Sequence, residues 1–281
     1  MNDKTIAYLG PEGTYSDEAA RAFATRMQLK DAELLPCATF DEIFEFVDRG
    51  KVAFGVVPTE NSLEGAVTAT MDNFAFNSAA VILGEHIVDI HHCLLMHPDA
   101  TVADITQIAS HAQGIAQCRR YLASHFPGKL TVTTSSTAES ARIAANDIHT
   151  AGIANKLAAK IHGTRVVEED IEDRFGNQTK FALIGRPGTS NVFTGTKYKT
   201  SLALFLQADR VGALLMILEE FAYANVNLTM LQSRPTKQAL GDYMFLVDIE
   251  GSVNDPEVQT ALSCLRLKLR EVKVLGCYPV G

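Results

Sequence analysis

The residues that could bind and act on a ligand fall where an apolar run gives way to a helical pattern. Thr14, Tyr15 and Ser16 follow Gly13; Thr59, Asn61 and Ser62 sit inside GVVPTENSLEG at 55–65; Ser110 and His111 precede Gln113; and Ser136 adjoins Thr137. Each junction sets hydroxyls or amides beside the free backbone N–H groups of a helix start, where the peptide dipoles favour negative charge. Together they suit a small polyanion such as a dicarboxylate. A nucleotide fits poorly, because Gly10 and Gly13 give only G-x-x-G, without the full dinucleotide fingerprint or the Gly-Lys pair of a phosphate loop.

Regular alternation of elements must hold these junctions together. Residues 5–9 read as a strand leading to a helix over 17–27, and 33–37 as a strand followed by a helix that starts at Thr39 with Glu42 three residues on. Val56 and Val57 end a strand, and a helix over 63–76 is expected next, with Asn61 and Ser62 as caps and Asn61 and Glu64 at capping-box spacing. An extended run over 81–96 follows. The helix opened by Ser110 and His111 is expected to reach His125; 129–134 reads as a strand, Ser136 with Glu139 caps another helix, and 152–162 repeats strand then helix. Such alternation implies an α/β sheet, in which ligands sit beyond the C-terminal ends of strands. The extended runs 81–96 and 165–185 are read as paired crossings between two α/β lobes flanking a cleft.

Composition bounds the answer further. With 281 residues, 47% hydrophobic and 21% charged, the chain can bury a sizeable core and is long enough for two domains. A net charge of −8 disfavours nucleic acid and anionic membrane as partners. MNDKTIAYLG lacks an apolar leader core and no window approaches the roughly 18 apolar residues of a membrane span, so a cytoplasmic protein is expected. The five cysteines show no C-x-x-C spacing and read as reduced, mostly buried thiols. No metal site is expected: His91 and His92 are neighbours in an extended run and face opposite ways.

GPEGTYS at 10–16, PTENSLEG at 58–65, SHAQGIAQC at 110–118, STAESA at 136–141 and NQTKF at 177–181 together resemble the prephenate dehydratase family in order and spacing. The resemblance implies a bilobal α/β fold like type 2 periplasmic binding proteins and decarboxylative dehydration of prephenate to phenylpyruvate in phenylalanine biosynthesis, with no cofactor. The implied substrate contacts are Thr14, Tyr15, Ser16, Thr59, Asn61, Ser62, Ser110, His111, Gln113, Ser136, Thr137, Asn177, Lys180 and Phe181. The family usually has Thr-Arg-Phe where Thr179, Lys180 and Phe181 stand, and His-Pro-Gln at 111–113, where this chain has Ala112. Lysine keeps the positive charge without the bidentate fork.

Prephenate must lose a ring carboxylate as CO2 and a hydroxyl from the opposite side of the ring, with aromatisation as the driving force. The protein must hold two carboxylates, assist the departing hydroxide and exclude water. The family points to Thr179 as the group acting on the hydroxyl. A threonine is too weak an acid to do this alone, so Glu64 is expected as the proton reservoir, held partly protonated among apolar contacts such as Phe181.

Beyond residue 185 the composition shifts. The stretch 189–198 is read as a linker between a catalytic domain over 1–188 and a domain over 199–281 with the order βαββαβ, a ferredoxin-like α+β plan whose second and third strands are separated by a turn ending at Gly241. This segment resembles the ACT amino-acid-binding module. The resemblance implies a phenylalanine site at Gly212, Ala213, Leu214, Asn227, Leu228, Gln232, Ser233, Arg234 and Pro235, at the interface of a homodimer or homotetramer; family members usually have Glu where Gln232 stands. Alternatives are an arogenate dehydratase, a prephenate decarboxylase that does not aromatise the ring, and a non-enzymatic amino-acid sensor.

Overall fold

A computed structural model describes residues 4–190, 192–208, 210–237 and 242–280. The chain has a mixed α/β architecture and divides into two compact units. Unit one comprises Met1–Thr70 and His86–Phe181, and unit two comprises Met71–Glu85 and Ala182–Gly281.

Unit one contains two sheets. In the first, the strand Thr5–Leu9 runs parallel to both Glu33–Cys37 and Phe54–Asn61. The helices Tyr15–Arg26 and Phe40–Asp48 cover it, burying Phe23, Ile43 and Phe44 against Ile6, Tyr8 and Val56. The second start is the one the sequence implies, with Thr39 Oγ1 accepting from Glu42 N, whereas the first helix begins two residues ahead of the expected 17, where Thr14 Oγ1 accepts from Asp17 N. Asp17 takes Gly13 N in turn, closing the loop ahead of the helix. Gly13 lies at φ +87°, and a Cβ there would stand 3.1 Å from Ala158 Cα, so only glycine fits this turn.

The second sheet orders its strands Arg165–Glu168, Cys93–Met96, Thr150–Ala154, Gln107–Ser110 and Leu130–Thr133. Cys93–Met96 is buried on both faces, with Leu94 and Met96 in one core and Cys93 and Leu95 in the other, which explains its unbroken apolar run. The helix Thr137–Asn146 lies close over Gly152, where a Cβ would stand 2.7 Å from Ser140 O; Ala138 and Ala141 keep that face thin.

Two expectations fail in this unit. The segment after Asn61 is no helix start: Glu60 and Asn61 pair antiparallel with Ala66 and Gly65, forming a tight hairpin. Helix begins only at Thr68–Asp72 and widens into a π-turn over Asn73–Asn77. Closing the hairpin satisfies the backbone across strands, and no free helical N–H groups remain beside Asn61. The helix expected to reach His125 is broken at Cys118 (φ −112°, ψ 20°) into Ala112–Gln117 and Arg119–His125.

In unit two the chain runs strand Tyr198–Phe205, helix Ala213–Tyr223, strands Leu228–Pro235 and Tyr243–Glu250, helix Pro256–Lys268 and strand Glu271–Pro279. Tyr198–Phe205 lies between Tyr243–Glu250 and Glu271–Pro279, antiparallel to both, and Leu228–Pro235 takes the edge. Leu202, Leu204, Val247 and Ile249 meet Ile217, Phe221, Leu262 and Leu265 on the helical side. The turn expected to end at Gly241 lies outside the described residues. The unit's extent departs from a linear boundary at 188, because residues 71–85 and 182–188 belong with it. Within the stretch read as a linker Phe193 is buried, 6% exposed, while 190 and 194–197 are exposed.

Candidate active site

A cavity of about 250 Å³ opens in unit one, lined from both of its sheets. Thr14, Tyr15 and Ser16 come from the start of the helix Tyr15–Arg26, His111 and Gln113 from the loop and helix after Gln107–Ser110, Ser136 and Thr137 from the next helix start, and Asn61, Asn177 and Thr179 from paired strand ends. Leu9, Ile90 and Gly114 supply its apolar and backbone surface. The helix starts expected at 14–16 and 136–137 are present, with Ser136 Oγ accepting from Glu139 N.

Other expected contacts lie elsewhere. Strand pleat sends Lys180 to the side opposite Thr179, where its Nζ is 2.8 Å from Glu60. Phe181 is 2% exposed in the core. Thr59 Oγ1 donates to Lys180 O, Ser62 Oγ accepts from Gln178 N, and Ser110 Oγ donates to Ile153 O, so these hydroxyls tie strands together and do not line the cavity. Glu64 is exposed and lines a second cavity of about 410 Å³ together with Arg119, Arg120 and Arg174. The enclosed apolar setting expected for it is not found, because Glu64 stands exposed in the hairpin turn.

Three polar lining residues were not anticipated: His92, Gln117 and Ser135. Gln117 lies one turn after Gln113 on the same helix, a spacing that marks one face. His92 is a polar residue in an apolar extended run, and it is 2% exposed. Gln117 and Asn177 also line the second cavity, so the two are contiguous.

An amide cluster underlies the floor. Asn61 Oδ1 accepts from Leu63 N and Glu64 N, each at 3.0 Å, so its Nδ2 must face the other way. That Nδ2 donates to Asn177 Oδ1 at 2.8 Å, Thr179 Oγ1 at 2.9 Å and Gln178 O at 3.1 Å. Thr179 therefore accepts through its oxygen and keeps its own hydrogen for a ligand. Burial raises the Tyr15 hydroxyl well above its ordinary 10.0 and lowers the His92 imidazole below 6.5. Both groups are neutral at pH 7.

The site can hold an anion at its helix starts and offer a hydroxyl hydrogen from Thr179 beside it. No side chain lining it is a lysine or arginine. Outside it, His91 Nδ1 lies 2.9 Å from Asp170 and 3.1 Å from Glu172, a grouping that the sequence reading, with no metal expected, did not bring together. Among the described residues no helix is long and apolar enough to cross a membrane.

The expected effector residues fall in unit two. Gly212, at φ +82°, precedes Ala213 and Leu214 at the start of the helix Ala213–Tyr223, and Asn227 stands before Leu228 at the start of the edge strand. Gln232, Ser233 and Pro235 lie on that strand opposite Leu246, Phe245 and Tyr243. Arg234 is 7% exposed and its guanidinium is 2.5 Å from Asp72, so it is committed within the unit and is not an open ligand-binding group.

Residues 6–189 match the family model for prephenate dehydratase. The chain is 36% identical over 280 residues to a prephenate dehydratase of Methanocaldococcus jannaschii, covering 99% of each sequence. Its structure is similar to that of the prephenate dehydratase of Arthrobacter aurescens solved with L-Phe, at 36% identity and a TM-score of 0.86, covering 98% of this chain and 90% of that one. It is also similar to GqqA, a solved protein described as a novel type of quorum quenching acylase, at 29% identity and a TM-score of 0.85, covering 99% and 98%. With its family model matched over most of its length and a curated relative aligned end to end, the chain is an enzyme of the prephenate dehydratase family.

Proposed function

We propose that the cavity holding Thr179 is where prephenate loses CO2 and hydroxide to give phenylpyruvate. The observation that carries this reading is the Thr179 hydroxyl, whose oxygen is taken by Asn61 Nδ2 while its hydrogen is left for the ligand. A donor held there favours departure of the substrate hydroxyl, and it strengthens as charge develops on the leaving oxygen. The helix starts at Thr14 and Ser136 supply N–H groups for a carboxylate. Because no cationic side chain lines the cavity, the leaving carboxylate meets little charge to hold it back. Thr14, Tyr15, Ser16, His111, Gln113, Ser136, Thr137, Asn61 and Asn177 are the proposed binding residues.

The two sheets of unit one are the two lobes of a type 2 periplasmic-binding-protein-like fold on this reading. Unit two carries an ACT module, and the similarity to a protein solved with L-Phe supports phenylalanine as effector, taken at Gly212, Ala213, Leu214, Asn227, Leu228, Gln232, Ser233 and Pro235 in a homodimer or homotetramer. Arg234 acts indirectly, through its ion pair. The protein works in the cytoplasm.

The likeness to GqqA raises a second reading, acyl hydrolysis. It would need an activated nucleophile. The hydroxyls of Thr14, Ser136 and Thr179 meet backbone or amide groups, and the Tyr15 hydroxyl, 3.2 Å from the His92 imidazole, gives its hydrogen to His91 O. The test is incubation of the purified chain with prephenate, with and without phenylalanine, following phenylpyruvate by its absorbance in alkali. Phenylpyruvate formation that phenylalanine suppresses supports both units' roles. Absence of phenylpyruvate, with hydrolysis of an acyl amide instead, favours the second reading.

A further inference from the structure

The proton on a buried imidazole follows from the groups that face it, and the one against His92 Nε2, Gln117, can be traced to fixed backbone donors, although its own Nε2 is buried without a partner. Leu63 N and Glu64 N set the orientation of Asn61, whose Nδ2 sets Asn177 Oδ1. Asn177 Nδ2 then points to Gln117 Oε1 at 3.4 Å, so Gln117 presents oxygen to this side. That oxygen is 2.8 Å from His92 Nε2, which must therefore carry the hydrogen. Nδ1 is left bare, 3.2 Å from the Tyr15 hydroxyl. Tyr15 has one hydrogen, donated to His91 O at 2.6 Å, with His92 Nδ1 the longer second neighbour at 3.2 Å. The tyrosine thus offers the cavity an oxygen acceptor.

The backbone of His92 is pinned as well. Its N donates to Glu172 Oε2, and its O accepts from Ile171 N. The titratable groups facing the His92–Tyr15 pair are Glu172 and His91 from the crossings, Glu18 from the helix Tyr15–Arg26, and the Cys93 and Cys118 thiols. Glu172 is engaged by His91 Nδ1 and His92 N, and burial drives the Cys93 thiol up to about 11 and the Cys118 thiol still higher.

We propose that His92 is a positioning residue of the reaction cavity: neutral, locked as the Nε2–H tautomer by the amide chain from the 63–64 turn, it holds Tyr15 as an acceptor for the ligand's hydroxyl hydrogen. This deepens the dehydratase reading and rests on it for the ligand. A substrate hydroxyl oriented towards Tyr15 leaves its oxygen lone pairs for a donor such as Thr179. His92 itself touches no reacting atom in this arrangement.

The first test is nitrogen-15 NMR of the imidazoles in the full chain, with His92 assigned by loss of its signals in His92→Asn. A hydrogen on Nε2, with bare Nδ1 unchanged between about pH 6 and 8, is expected; an Nδ1–H tautomer or an imidazolium in that range overturns the lock. Gln117→Glu places a carboxylate against Nε2–H, so the His92 protonation should move upwards and kcat should gain an inflection near neutrality; unmoved protonation overturns the coupling. Turnover gives an independent readout. Asparagine keeps an acceptor near the place of Nδ1 and glutamine near that of Nε2. His92→Asn should therefore stay within about fivefold of the parent kcat, while His92→Gln and His92→Ala fall about tenfold or more with KM within about threefold. Equal losses in the Asn and Gln variants overturn the role of Nδ1, as does survival of their difference in a Tyr15→Phe background. A parent chain without turnover of prephenate refutes the dehydratase reading alone, and the NMR result then still decides the tautomer.

Discussion

Asn61 Nδ2 stands 2.9 Å from Thr179 Oγ1 and donates to it, across neighbouring strands 118 residues apart in sequence. One amide hydrogen thereby decides which way the threonine hydroxyl acts. Removing the hydroxyl and removing its orienting partner should consequently have different signatures.

Thr179→Ala is expected to lower kcat about 100-fold with KM within about threefold, because the lost contact matters most as the hydroxide departs. Its effect on unfolding should be small. Asn61→Ala should lower both activity and stability, since Asn177 Oδ1 and the two turn N–H groups lose a buried partner, at about 1–3 kcal/mol. Urea unfolding and steady-state kinetics on both variants check this; unchanged turnover in Thr179→Ala would refute its assigned role.

Glu64→Gln should leave kcat within about twofold of the parent. Glu64 is exposed and lines the second cavity, away from Thr179. A loss of tenfold or more would restore the proton-reservoir role expected from sequence. The comparison needs only initial rates at fixed prephenate.

Asp72 receives Arg234 at 2.5 Å and Lys237 at 2.6 Å, with its side chain only 11% exposed. Arg234→Ala strips the buried partner from this carboxylate and should destabilise unit two by about 3–5 kcal/mol. Lys237→Ala, whose lysine side chain is 60% exposed, should cost under about 1 kcal/mol. Denaturant unfolding with and without phenylalanine is the check, and equal losses in the two variants would contradict the ranking.

Burial raises the Cys37 and Cys93 thiols from the ordinary 9.0 to about 11, and Cys118 higher again, whereas Cys264 and Cys277 are partly exposed. Brief treatment with a thiol reagent at about pH 8 should label Cys264 and Cys277 first, read by mass spectrometry. The same raised values give a sign for alkaline stability. The unfolded chain releases these protons from about pH 9, the folded chain only near 11, so stability is full below pH 9 and declines as pH rises through that window. A flat profile between pH 8.5 and about 10.5 would contradict it.

The sequence by itself determined what depends on neighbours in the chain. The caps at Thr14, Thr39 and Ser136 and the strand and helix order of unit two are local patterns, and the structure forms them where those patterns lie. The motifs at 10–16, 58–65, 110–118, 136–141 and 177–181 sufficed for the family. Tertiary structure decided the rest. Whether residues 62–66 continue as helix or fold back depends on a pairing partner, and Glu60 opposite Ala66 settled it for the hairpin. Which strand side chains meet the ligand depends on register, since a strand shows alternate residues to opposite sides; Thr179 thus enters the cavity and Lys180 leaves it. His92 and Gln117 became site residues only when the segment before the strand Cys93–Met96 and a helix 25 positions on were packed together, a contact that no local pattern encodes.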